Sequence, residues 1–69
     1  MSIQDELRQV DEDLAKLRAS TAELREQVGD MGPTDAAERS AMLQLADDND
    51  ELIAELEARR EGLRKRLDG

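Results

Sequence analysis

The groups able to do chemistry in this chain are carboxylates and cations. Its 69 residues hold 18 acidic and 10 basic side chains, and neither histidine nor cysteine. The commonest general base and metal ligand is therefore missing, as is any thiolate nucleophile, thiolate metal ligand or disulfide. Carboxylates alone can act as acid and base only where their surroundings push their pKa values apart. A helical face in open solvent does not do that, so the chain reads as a non-enzyme with no cofactor and no metal.

The ionised groups are unevenly spread. Residues 1–58 hold 16 acidic and five basic side chains, and residues 59–69 hold two acidic and five basic ones. The basic end consists of Arg59, Arg60, Arg64, Lys65 and Arg66. Cations suit a helix C-terminus, and Glu55–Arg59 and Glu61–Lys65 have the spacing of favourable helical ion pairs. The acidic belt Asp47, Asp48, Asp50 and Glu51 has no basic residue three or four positions away. Asp47, Asn49 and Glu51 alternate as in an EF-hand loop. The glycine that loop needs is absent and the run sits inside a helical pattern, so calcium is not expected. The formal net charge of −8 opposes direct DNA binding, which needs cations to displace counterions. Without Phe, Trp or Tyr there is no stacking platform for single strands either. No apolar run exceeds three residues, which excludes a membrane-spanning helix and an apolar signal segment. Cytoplasm is the expected location.

These charges must be held by helices, and the stretch Gly29-Asp30-Met31-Gly32-Pro33-Thr34 divides the chain into two of them. Gly29 suits a left-handed helix end, and Pro33 pushes Gly32 out of helical angles. Thr34 or Asp35 can cap the second helix, with Glu38 at capping-box spacing from Asp35. The expected elements are a first helix over about 3–28, a turn over 29–34 and a second helix over about 35–67. Ser2 is the expected cap of the first, with Asp5 and Glu6 in its first turn. Ile3, Leu7, Val10, Leu14, Leu17, Thr21, Leu24 and Val28 then alternate four and three apart. That is an unbroken heptad seam with Thr21 as its polar rung.

In the second helix the ladder reads Met42, Leu45, Asn49, Leu52 and Leu56. A four-residue stutter at Arg60 then returns Leu63 and Leu67 to the same face. Asn49 is the polar residue at a core position, of the kind that fixes register. Leu43, Ala46, Ile53 and Ala54 fall outside this ladder and form a second apolar surface. Gly62 weakens the last turns. Folding back about the turn predicts that residue numbers in contact sum to about 63, with the segment after Arg60 projecting beyond the shorter first arm. Asp11, Glu12 and Asp13 then share a level with the acidic belt.

The fold class expected is all-α: an antiparallel two-helix coiled-coil hairpin. The second apolar surface needs cover, which pairing two hairpins into a four-helix bundle supplies. A homodimer is expected, with another protein as the other partner. The basic end of one chain would meet the acidic belt of its mate. The function expected is a small structural or adaptor protein acting through helix–helix contacts. An alternative rests on the tip. Gly29-Asp30-Met31 is similar to the opening of the Gre tip, and Asp35-Ala36-Ala37 is loosely like the DksA tip. The hairpin over about residues 24–57 thus resembles the coiled-coil finger of these transcription factors, which enters the secondary channel of RNA polymerase. Gly32-Pro33-Thr34 departs from the Ser-Glu-Asn that comes next in Gre. The resemblance implies a regulator that inserts its acidic tip, with Asp30, Asp35 and Glu38, into a larger enzyme.

Overall fold

The computed structural model describes residues 2–69, apart from the side chain of Thr34. Two helices pack against each other: α1 is Ile3–Gly29 and α2 is Ala36–Asp68, joined through a 3-10 turn at Pro33–Asp35. The result is a rod of 53 × 16 × 15 Å. No helix is long and apolar enough to cross a membrane among the described residues.

α1 begins with a capping box. The Asp5 amide donates to Ser2 Oγ at 3.1 Å, and the Ser2 amide donates back to the Asp5 carboxylate at 3.5 Å. Its heptad ladder is the side that packs: Val10, Leu14, Thr21 and Val28 are buried, and Ile3, Leu7, Leu17 and Leu24 half-buried. The polar rung is satisfied locally, since Thr21 Oγ1 donates to the Leu17 carbonyl at 2.7 Å. The far end of α1 does not use a left-handed glycine. No glycine among the described residues has positive φ. Asp30 closes the helix in right-handed geometry, its amide reaching the Gln27 and Val28 carbonyls. Gly32 is extended at φ −78°, ψ 169°, as the residue before a proline must be. Asp35 precedes α2 but makes no capping hydrogen bond with its side chain, so the capping box expected with Glu38 does not form. Capping by the Thr34 side chain lies outside the described residues.

The seam of α2 differs from the expected ladder. Ala46 and Leu63 are buried, and Met42, Asn49, Ile53, Leu56 and Arg60 half-buried. Together they form an unbroken four-three alternation from Met42 to Leu63. Ala46 and Ile53, expected outside the seam, lie in it, and Leu45 and Leu52, expected in it, are 49% and 45% exposed. No stutter is needed because Arg60 occupies the rung. Its aliphatic stem can lie along the seam while its guanidinium reaches Asp11.

The register is displaced as well. Val10, Leu14 and Leu63 form the core cluster, with Ile3, Leu7, Ile53 and Leu56 packed on it. The cross-helix ion pairs Asp11–Arg60, Arg18–Glu57 and Arg25–Asp50 have numbers summing to 71, 75 and 75, well above the expected sum. Two causes act together. Helical side chains lean toward their own N-terminus. In an antiparallel pair this couples each α1 residue to an α2 residue farther from the turn. In addition, residues 36–41 are exposed and Ala46 is the first buried residue of α2. The segment after Arg60 consequently does not project past α1, and Leu63 packs against its N-terminal half.

Candidate interaction surface

The seam divides the surface of the rod into two flanks. One carries Asp11, Arg18 and Arg25 on α1 and Asp50 and Glu57 on α2, each set at seven-residue spacing. It is closed by ion pairs. Arg25 meets Asp50 with Nη1 and Nη2 each donating to one carboxylate oxygen, a fork-to-fork contact. Arg18 Nη2 lies 3.2 Å from Glu57 Oε1, and Arg60 Nε donates to Asp11. The Arg25 guanidinium has its pKa raised, first by the Asp50 hydrogen bond and then by the charges of Asp50 and Asp47, against an opposing desolvation. A raised cationic pKa adds stability that is complete below the unfolded value and lost only as pH climbs through the folded one. That window lies above neutral and mildly alkaline pH, so Arg25 stays charged throughout ordinary conditions.

The opposite flank is open. On α2 it carries Glu38, Leu45, Leu52 and Arg59, again seven apart. Between the helices runs a shallow groove lined by Asp13, Lys16, Leu17, Ser20, Leu52 and Leu56. Among the described residues no ion pair bridges this flank. Leu43, on the other side of the α2 seam near the tip, is 44% exposed, and Leu67 is 41% exposed near Leu7.

The site residues expected from sequence are thus redistributed. Of the apolar set Leu43, Ala46, Ile53 and Ala54, Leu43 and Ala54 remain exposed. The acidic belt does not face Asp11, Glu12 and Asp13. Asp50 is engaged by Arg25, Asp11 by Arg60, and Asp47, Asp48 and Glu51 are exposed. In the basic end, Arg60 is engaged within the chain, while Arg59, Arg64, Lys65 and Arg66 are exposed and make no ion pair among the described residues. The local pairs Glu55–Arg59 and Glu61–Lys65 are not formed, and the one short-range pair among the described residues is Asp5–Arg8 at 3.2 Å. No cluster of acidic groups among the described residues has the arrangement to hold a metal ion. Every buried side-chain nitrogen or oxygen described has a partner.

Sequence reasoning missed Leu45 and Leu52 as surface residues because two ladders share Met42, Asn49 and Leu56. The signal that separates them was present: the ladder through Ala46 and Ile53 continues to Leu67 without a break, whereas the one through Leu45 and Leu52 needs a stutter. At the tip, Asp30, Asp35 and Glu38 line one shallow hollow with Met31 and Met42. Compared with family models, curated proteins and solved structures, the chain matches none.

Proposed function

We propose that this chain is a small non-enzymatic structural or adaptor protein that works through helix–helix contacts, its open flank being the docking surface. The observation that carries this reading is the contrast at Leu45 and Leu52. Two large aliphatic side chains stand about half exposed on one stripe of α2, Leu52 lining a groove, while the other flank of the same seam is clasped by ion pairs. An exposed leucine alone means little, but an aligned pair next to a groove is the pattern a further helix covers. The core also supports it, since the buried apolar side chains are only Val10, Leu14, Val28, Ala46 and Leu63 among the described residues. A core that small gains from a third or fourth helix.

The double variant Leu45→Ser/Leu52→Ser tests the reading. It should keep wild-type helicity by circular dichroism and lose the associations the wild-type chain makes. Association that survives both substitutions would show that another surface does the work.

A second reading draws support from the tip, where Asp30, Asp35 and Glu38 gather round Met31 and Met42. A regulator that presents an acidic finger to a larger enzyme such as RNA polymerase needs that gathering. Its test is co-purification with polymerase, together with transcript initiation and cleavage in the presence of Asp30→Asn, Asp35→Asn and Glu38→Gln variants. A chain that neither binds polymerase nor alters either reaction removes this reading.

A further inference from the structure

Resting on the open-flank reading, we infer that the occupant of the flank is a second copy of this chain, docked antiparallel with α2 against α2 about a two-fold axis between Leu45 and Leu52. The strip Glu38, Leu45, Leu52, Arg59 is self-complementary in that one direction. Pairing Leu45 with Leu52 of the mate brings Glu38 level with Arg59 of the mate, and the symmetry makes both contacts occur twice. Two leucine layers then flank the axis with an opposite-charge pair at each end, about 32 Å apart along one helix at 1.5 Å per residue. Exposed Asp48, which shares the Leu45–Leu52 face at three- and four-residue spacing, lies next to its own copy at the axis. It is the one like-charge contact that the two leucine layers and two ion pairs must outweigh. Parallel docking of the same strips sets Glu38 against Glu38 and Arg59 against Arg59, so the end charges reject it.

The partners needed are free. Glu38 and Arg59 are both exposed, and neither makes an ion pair among the described residues. The other flank has no such capacity, because Arg18, Arg25, Asp50 and Glu57 are already engaged with each other. The contact is isologous and closes on itself, so it yields a dimer and no filament.

Sedimentation equilibrium over a concentration series tests the pairing. Wild-type chain, Glu38→Arg, Arg59→Glu and the double reversal Glu38→Arg/Arg59→Glu are compared, with helicity measured alongside. The wild-type chain should dimerise. Each single reversal faces like charges at both ends and should weaken the dimer by about tenfold or more at low salt. The double reversal should restore it, which loss of folding at either position cannot mimic. A double variant no tighter than the weaker single overturns the antiparallel pairing. A helical wild-type monomer at hundreds of micromolar overturns self-docking while leaving the open flank for a different helix. A dimer that persists in Leu45→Ser/Leu52→Ser overturns the flank itself.

Discussion

The two flanks of this hairpin are built on the same seam and at the same spacing, yet they face opposite ways energetically. One sets Asp11, Arg18 and Arg25 across from Arg60, Glu57 and Asp50 and is satisfied within the chain. The other sets Leu52 beside Ser20 and Leu17 and leaves both it and Leu45 half covered. Exposed ion pairs contribute little to stability individually, but opposite charges aligned with like charges avoided do select a register. The closed flank therefore specifies how the hairpin zips, and the open flank leaves Leu45 and Leu52 about half exposed. In the register expected from the turn alone, Asp11, Glu12 and Asp13 would have faced the belt at 47–51. The observed register instead gives three members of those acidic and basic sets opposite partners.

The comparison breaks most severely at the residue beneath both flanks. Leu14 is 1% exposed, and Leu14→Ala should cost about 2–5 kcal/mol. In so small a core, thermal circular dichroism should then show a largely unfolded chain. The neighbours Leu52 and Ile53 sharpen the contrast. Ile53→Ser removes a side chain packed on the core and should cost about 2 kcal/mol. Leu52→Ser, measured at low concentration so that association does not enter, should stay within about 0.5 kcal/mol of wild type. The reverse order would restore the Leu45–Leu52 seam and exchange the two faces. Gly62 is exposed, and a Cβ built on it meets nothing within 4 Å. Gly62→Ala should stabilise the hairpin by about 1 kcal/mol in urea unfolding and leave association unchanged. The smallest effect belongs to the closed flank. An alanine double-mutant cycle on Arg18 and Glu57 should give a coupling of about 0.2–1 kcal/mol that shrinks in high salt. No coupling even in low salt would mean that the clasp contributes nothing to the register.

Much of the molecule was legible because the causes are local. The alternation from Ile3 to Val28 marks one face of one helix, and every rung of it is buried or half-buried. Ser2 with Asp5 predicts its own cap because the bonds span only three residues. The break around Gly32-Pro33 arises from a missing amide hydrogen and a steric clash. The capping expected from Asp35 failed for an equally local reason: the 3-10 turn places it at φ −101°, ψ 31°, outside the extended geometry a capping side chain needs.

Composition and spacing thus specified two long helices, where they break, which face of α1 is apolar, and that the chain carries few groups able to do covalent chemistry. They left α2 with two apolar stripes sharing Met42, Asn49 and Leu56, and a turn cannot choose between them. That choice belonged to the partner helix. Packing Leu63 on Val10 and Leu14, and matching Arg18 and Arg25 with Glu57 and Asp50, rotates α2 so that Ala46 and Ile53 turn inward. Heptad spacing reports which residues share a face of one helix. Which face is buried, and at what level, is a property of two surfaces meeting, so it is written in neither helix alone.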